Sequence, residues 1–249
     1  MTLQLLICTI DEGIQKMRGH FLPQRQDVSY LISWQYTGEK PQIPSWITER
    51  DDVELILLFG RGLSHNRNYA IDKASADIIK ICDDDEQWTN EDFDAILDAF
   101  KTYPKADIIQ FQARGLQKTY PPQYVSSVEL AMRRDRIGQL RFDERFGLGS
   151  SYLNSGEEAI FVHDAHIKGL NMMYLPISVC ETVPQSTGQQ ITNPLTLRSK
   201  AAVWTHTRGI LYAYLRALRE SLGIGLRTKT NPFMLLRHFH SGIQYISKS

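Results

Sequence analysis

Four consecutive acidic side chains, Asp83 to Glu86, have the types and spacing best suited to chemistry in this chain. They follow an apolar stretch, residues 77–82, that is typical of a buried strand. Because side chains alternate faces along a strand, Asp83 and Asp85 are expected to point one way and Asp84 the other. Neighbouring carboxylates repel each other, so a hard divalent cation with oxygen ligands is the natural occupant of such a site. A solvated turn is the alternative interpretation.

A second acidic pair, Glu157 and Glu158, follows Gly156 at the start of a predicted helix that ends near Gly169. A carboxylate in the first turn of a helix is held ionised by the helix dipole, which suits a group that accepts a proton. Acidic residues also favour first turns for stability alone, so both interpretations stay open at this point.

The elements that would position these acids alternate between strands and helices, which predicts an α/β fold. The predicted strands are Leu3–Cys8, Val28–Trp34, Val53–Phe59, Ala106–Ala113 and Ser127–Arg133. Ser64 and Thr89 are predicted to cap helices over about 64–74 and 92–100. The polar loop 9–13 follows the first strand, at the edge where ligands collect in doubly wound folds. No glycine-rich phosphate loop is present, so phosphate binding would depend on a metal ion and cationic side chains.

Charge is distributed unevenly along the chain although the net charge is zero. Residues 1–194 contain 19 Lys and Arg against 27 Asp and Glu, whereas residues 195–249 contain 9 against 1. Such a basic segment can bind an anionic membrane surface, bind nucleic acid or pack against an acidic body. Because the rest of the chain is acidic, packing against that acidic body is favoured. Three widely spaced cysteines indicate neither a disulfide framework nor a zinc site, and a reducing compartment fits best.

Taken together, these motifs resemble those of family 2 glycosyltransferases, over about residues 3–190. The motifs that carry the resemblance are Gly62-Leu63-Ser64 with Arg67-Asn68, the run Asp83-Asp84-Asp85, the block 142–147, the triplet 156–158 with Phe161, and the strand 169–176. The resemblance implies a GT-A fold, in which a Rossmann-like, mixed and mostly parallel sheet is flanked by helices. It also implies a nucleotide-binding half over about 1–112, an acceptor half over about 113–194 and a basic helical C-terminal extension over 195–249.

The resemblance also implies roles for individual side chains. Asp83 and Asp85 would be the outer members of the family's DXD motif, with Asp85 the direct ligand of Mn²⁺ or Mg²⁺ and Asp83 near the nucleotide ribose. The donor-binding residues it implies are Thr9, Asp11, Gln35, Arg67, Asp83 and Asp84.

Glu158 stands at the position of the family's general base. Family members usually carry Asp there, so Glu157 is the alternative base. Many members also carry a histidine where this chain has Val183. His163 and His166 lie nearby in sequence and are weaker candidates for a metal ligand.

We therefore expect an inverting, metal-dependent glycosyltransferase that transfers a sugar from a nucleotide-sugar donor to a saccharide or lipid-linked saccharide, in bacterial surface-polysaccharide assembly. The expected protein is cytoplasmic and does not bind nucleic acid. Residues 195–222 are predicted to form one long helix, and the basic C-terminal segment is expected to contact the inner face of a membrane peripherally. The alternatives are a nucleotidyltransferase and a non-catalytic scaffold of the same fold that binds nucleotide sugars or polysaccharide.

Overall fold

The computed structural model describes residues 1–116, 125–182 and 191–248 of the chain. These residues belong to two compact units. The first unit comprises Met1–Arg61, His65–Arg141 and Asp164–Pro184, and the second comprises Gly62–Ser64, Phe142–His163 and Gln185–Ser249. The domain limits expected from the sequence, with a boundary after residue 194, stay a prediction.

The first unit is built on a seven-stranded sheet with the strand order β3-β2-β1-β4-β6-β5-β7. The strands are β1 (Leu3–Ile10), β2 (Val28–Tyr36), β3 (Val53–Phe59), β4 (Ile78–Asp83), β5 (Ile108–Arg114), β6 (Leu130–Arg133) and β7 (Met172–Glu181). Neighbouring strands run parallel except where β6 pairs antiparallel with β4 and β5. The expected α/β class with a mixed, mostly parallel sheet is confirmed.

The central strands form because their apolar runs can be covered on both faces. In β1, Leu3, Leu5, Leu6 and Ile7 are all fully buried. The strand expected over Ser127–Arg133 is wrong in its first half, because Ser127–Glu129 form a turn of 3₁₀ helix before β6 begins. The reason is local: the side chains of Ser126 and Glu129 each accept a hydrogen bond from the other's backbone N–H, in a capping box.

The register of the sheet brings three strand ends to the same edge. Thr9 of β1 lies opposite Trp34 of β2, and Ile10 lies opposite Gln35. On the other side of β1, Cys8 lies opposite Asp83, the last residue of β4. The polar residues that follow these strands therefore start from neighbouring positions.

The helices expected next to β4 are present, with one correction. Helix α1 covers Ser45–Thr48, α2 covers Leu63–Lys73, α3 covers Asn90–Thr102 and α4 covers Glu157–Ile167. Thr89 caps α3 as expected, since its hydroxyl accepts from the Asp92 backbone while the Asp92 side chain accepts from the backbone of Thr89. The N-cap expected at Ser64 is wrong, because α2 already includes Leu63 and the Ser64 hydroxyl donates to the Phe146 carbonyl at 2.7 Å.

The second unit ends in three helices, α5 (Pro194–Arg208), α6 (Ile210–Thr228) and α7 (Pro232–Ser247). The single long helix expected over 195–222 is therefore wrong. The helix is interrupted at Gly209, whose φ of 85° lies in a region that glycine enters without steric cost. The core of this bundle consists of Leu197, Ala201, Ala213, Ala217, Ile224, Leu235, Phe239 and Ile243. Among the described residues, no helix is long and apolar enough to span a bilayer.

Candidate active site

The acidic run forms a turn at the end of β4. The strand ends at Asp83, and Asp84 and Asp85 occupy the turn that follows. The expectation that Asp85 would share a strand face with Asp83 is therefore wrong, because strand alternation stops before it reaches Asp85. Asp83 and Asp84 are held by partners in the first unit.

Glu86 shapes this turn from the inside. Its side chain is fully buried, and its Oε1 accepts a hydrogen bond from the Asp83 backbone N–H at 2.6 Å. Its Oε2 accepts from Lys80 Nζ at 2.7 Å and from Trp88 Nε1 at 3.3 Å. Burial raises the pKa of the Glu86 carboxyl, and the fully buried Lys80 ammonium opposes that rise. The fourth acid of the run is thus a positioning residue that ties the turn to the core.

Sequence reasoning missed this pairing of Lys80 with Glu86. A signal was available, since Lys80 is the one charged residue in the run Ile78-Ile79-Lys80-Ile81-Cys82. A lysine inside such a run is buried only when a partner compensates its charge. Glu86, six residues later, is that partner.

Asp84 is held by one residue near the end of β1 and by one that follows the strand. Its Oδ2 accepts from the Thr9 hydroxyl at 2.6 Å, and its Oδ1 pairs with Lys16 Nζ at 3.1 Å. A Cβ added at Gly13 would collide with both Asp84 Oδ2 and Thr9 Oγ1. The loop expected over 9–13 is wrong, because β1 extends to Ile10 and Asp11–Met17 form a 3₁₀ helix. Glycine at position 13 allows this 3₁₀ helix to pass close to the acidic turn.

Asp83 points to Arg67, whose guanidinium donates to Asp83 Oδ1 at 3.2 Å. The Arg67 side chain is only 2% exposed, whereas that of Asp83 is 39% exposed. A buried guanidinium beside a partly exposed carboxylate is a fixed positive charge. Arg67, predicted from the sequence to lie near the donor, is thus brought next to the acidic turn.

The surroundings of Asp85 disfavour its charged form. Partial burial raises its pKa, and the charges of Asp83 and Asp84 raise it further. A bound divalent cation would relieve that repulsion, and carboxylate oxygens are ligands that Mg²⁺ and Mn²⁺ prefer. The residues of the turn therefore fit the metal ion that the sequence predicted.

Asp11 and Gln35 lie at the carboxyl ends of β1 and β2. The Asp11 carboxylate accepts from the backbone N–H and the hydroxyl of Thr37, at 3.0 and 3.2 Å, and its carbonyl accepts from Trp34 Nε1 at 2.8 Å. Asp11 has a φ of 47°, unusual for a residue with a side chain. Gln35 is 2% exposed, and its Nε2 has no hydrogen-bond partner among the described residues. Asp11 and Gln35, which the sequence predicts to contact the donor, therefore both lie at the predicted edge of the sheet.

The second acidic pair lies in the second unit, in the first turn of α4. Glu157 is 5% exposed, whereas Glu158 is half-buried. A Cβ added at Gly147 would lie 2.9 Å from Ser64 Oγ and 3.2 Å from Glu157 Cδ, so the backbone of Gly147 packs closely on the buried carboxyl. Its φ of 101° also favours glycine. Of the two acids, Glu158 is the one more accessible to a substrate.

The histidines singled out in the sequence have different surroundings. The ring of His163 lies 5.5 Å from that of His206 in a nearly perpendicular arrangement, and both belong to the second unit. His166, in the last turn of α4, is exposed. Val183, where the resemblance to the family implies a histidine, lies outside the described residues. The metal roles of His163 and His166 stay predictions.

Comparison with known proteins yields a family and a fold. Residues 40–164 match the family described as Glycosyl transferase family 2. The chain superposes on S. aureus TarS 1-349 with a TM-score of 0.62 at 14% identity, covering 98% of this chain and 81% of that one. The complex of TarS 1-349 with UDP-GlcNAc gives a TM-score of 0.59 at 14% identity, covering 98% and 82%. Among curated proteins, none matches.

A mannosyltransferase from Pyrobaculum calidifontis, in complex with GDP-Man and Mn²⁺, gives a TM-score of 0.55 at 14% identity and covers 99% of this chain and 75% of that one. In a longer S. aureus TarS structure, the chain spans 42% of the length. These structures confirm the GT-A class of fold predicted from the sequence.

Proposed function

The chain belongs to glycosyl transferase family 2 and is a glycosyltransferase, and we propose that it transfers a sugar with inversion from a nucleotide-sugar donor to an acceptor hydroxyl. In this reaction the bond between the anomeric carbon and the diphosphate oxygen breaks while a bond to the acceptor oxygen forms. The nucleoside diphosphate leaves with the electron pair, and the acceptor proton passes to a base on the enzyme. The observation that carries the proposal is the constrained carboxylate turn at the end of β4.

The donor half of the proposal rests on the three aspartates of that turn. Asp85 and Asp83 would hold Mn²⁺ or Mg²⁺, and the ion when bound neutralises the charge that develops on the departing diphosphate. Arg67 keeps Asp83 in place through its 3.2 Å contact. Thr9 and Lys16 hold Asp84 through its two carboxylate oxygens.

The nucleotide would lie against the carboxyl ends of β1 and β2. Asp11 accepts hydrogen bonds there, and the buried Nε2 of Gln35 is a donor without a partner among the described residues. A buried donor of this kind is costly unless a ligand supplies an acceptor. The two side chains would therefore recognise polar groups of the base and ribose.

The base of the reaction would be Glu158, with Glu157 as the alternative. Glu158 is half-buried in the first turn of α4, where the helix dipole favours a negatively charged side chain, and a carboxylate is a group that can accept a proton. Glu157 is buried against Gly147 and is less accessible to an acceptor. We assign proton transfer to Glu158 and a positioning role to Glu157.

The comparisons bear on the choice of donor and acceptor. The neighbouring structures hold UDP-GlcNAc in one case and GDP-Man with Mn²⁺ in the other, which supports a nucleoside-diphosphate sugar as donor here. The proposed acceptor is a saccharide or a lipid-linked saccharide, in the assembly of a bacterial surface polysaccharide. Such a reaction would take place in the cytoplasm, at the inner face of the membrane.

A donor-turnover assay tests this proposal. The protein is incubated with UDP-, GDP-, CMP- and dTDP-sugars, with Mn²⁺, with Mg²⁺ and with EDTA, and release of the nucleotide is measured. We expect release from one class of nucleoside-diphosphate sugar, lost in EDTA and strongly reduced in Asp85→Asn. The control variant Asp51→Asn removes an exposed carboxylate elsewhere and should behave as wild type. Turnover that is equal in EDTA would refute metal dependence, and donor binding without turnover would indicate a scaffold.

A further inference from the structure

Helix α6 carries a row of exposed leucines along one side. Their side chains are between 51% and 86% exposed, although leucine is usually buried in a globular protein. The members of this leucine face are Leu211, Leu215, Leu218, Leu222 and Leu226. Their spacing of four, three, four and four residues confines them to an arc of about 80° on the helix.

The leucine face is not the side that holds α6 in the second unit. Ala213, Ala217 and Ile224, on a different side of the helix, pack into the core that α6 shares with α5 and α7. Replacing the exposed leucines by polar residues should therefore leave the bundle folded. The leucine face is available for a contact outside the described chain.

The apolar surface continues at the end of α6. Gly225 packs closely against Pro232, the first residue of α7, because a Cβ at position 225 would lie only 2.7 Å from Pro232 Cγ. The next residues of α7, Phe233 and Met234, are 81% and 52% exposed. The end of the leucine face and the start of α7 therefore lie close together and present apolar side chains.

Basic side chains lie on α6 and directly after its end. Arg219 lies about 20° beyond Leu226 around the helix. Arg219, Arg227 and Lys229 are exposed, and in the part of the chain that the structure describes they form no ion pair. Over residues 195–249 the chain has nine basic residues and one acidic residue. A partner that covers the leucine face must therefore tolerate, or attract, positive charge.

We propose that the leucine face of α6 docks on an anionic lipid surface, with the helix lying in the plane of the interface. Exposed leucines beside arginines and lysines are the combination that binds at such an interface, because apolar burial and attraction to anionic headgroups act together. A second copy of this chain is a poorer occupant, since it would bring two segments of the same positive charge together. The proposal does not depend on the transfer reaction.

Vesicle sedimentation with the full chain tests the proposal. We expect the wild-type protein to sediment with vesicles of phosphatidylcholine and phosphatidylglycerol, and more weakly with phosphatidylcholine alone or at high salt. The triple variant Leu215→Gln, Leu218→Gln, Leu222→Gln should bind at least about tenfold more weakly, because it removes three leucines that are exposed in solution and would be buried at the lipid surface. A matched variant, Ile43→Gln, Phe59→Gln, Ile167→Gln, changes exposed apolar residues elsewhere and should bind as wild type.

A charge variant and a size measurement complete the test. Arg219→Gln, Arg227→Gln, Lys229→Gln should weaken binding to anionic vesicles, whereas Lys40→Gln, Lys73→Gln, Lys105→Gln should not. Circular dichroism and donor binding in solution check that each variant is folded. Unchanged vesicle binding by the leucine variant would overturn the proposal. A wild-type dimer that this variant converts to monomer, without any loss of vesicle binding, would assign the face to self-association instead.

Discussion

The two acidic clusters of this protein are built differently, although each combines a buried carboxylate with a more accessible one. In the turn after β4, Glu86 is buried on Lys80 while Asp85 is partly exposed. At the start of α4, Glu157 is buried and Glu158 is half-buried. The aspartates of the turn contact Thr9, Lys16 and Arg67, which are distant in sequence, whereas the pair on α4 lies in the first turn of a helix. We expect the buried carboxylate of each cluster to hold the site in place, and the accessible carboxylate to bind the metal ion or to accept the proton.

The largest effect is expected at the accessible acid of α4. Glu158→Gln should lower kcat by about 10²- to 10⁴-fold with little change in donor affinity, because the amide cannot accept the acceptor's proton. Glu157→Gln should lower kcat much less and should mainly change the unfolding temperature. Steady-state kinetics and donor titration separate the two, and the reverse pattern would make Glu157 the base. Glu39→Gln, at an exposed site, is the control.

The next effect concerns the buried acid of the β4 turn. Glu86→Gln should lower the free energy of unfolding by about 3–5 kcal/mol, since it leaves the Lys80 ammonium buried without its counter-charge. Chemical denaturation measures this loss, and Glu54→Gln on an exposed position of β3 should show almost none.

A double variant separates the structural role of Glu86 from its positioning role. Lys80→Met with Glu86→Leu should recover most of the stability, because apolar residues of similar size replace the buried pair. Activity should be low, because leucine at position 86 offers no acceptor to the Asp83 backbone N–H. Full recovery of activity in the double variant would show that Glu86 does not position the turn.

A smaller effect is expected where the 3₁₀ helix Asp11–Met17 meets the turn. Gly13→Ala should displace the Thr9 hydroxyl from Asp84 and reduce kcat/KM by about tenfold, the scale of one hydrogen bond to a charged group. Gly38→Ala is the matched control, because a Cβ there meets nothing within 4 Å. Equal activity of the two variants would mean that the turn does not need this contact.

The sequence was sufficient where the signal is local. The apolar runs of β1, β2 and β3 predict strands because parallel strands covered on both faces are continuously apolar. Thr89 predicts a helix start because its capping partner lies three residues away. The position of the acidic run follows directly from the end of β4.

The sequence was insufficient where the deciding partner is distant or the signal is ambiguous. Ser64 is predicted to cap a helix, yet its hydroxyl donates a hydrogen bond to the carbonyl of Phe146, 82 residues later. The partner of Lys80 is only six residues away, but nothing in the run of four acids distinguishes Glu86 from the aspartates. Gly209 ends α5 inside a continuous helical pattern, and a single glycine does not reveal its positive φ.

The central claim, that the turn after β4 binds a divalent cation beside the leaving diphosphate, is tested most directly by anomalous scattering. Crystals would be soaked with Mn²⁺ and a nucleoside diphosphate, and data collected at the manganese edge. We expect an anomalous peak within about 2.5 Å of an Asp85 carboxylate oxygen, and no peak there in Asp85→Asn crystals. Nucleotide bound at the ends of β1 and β2 with no manganese at Asp85 would contradict the account.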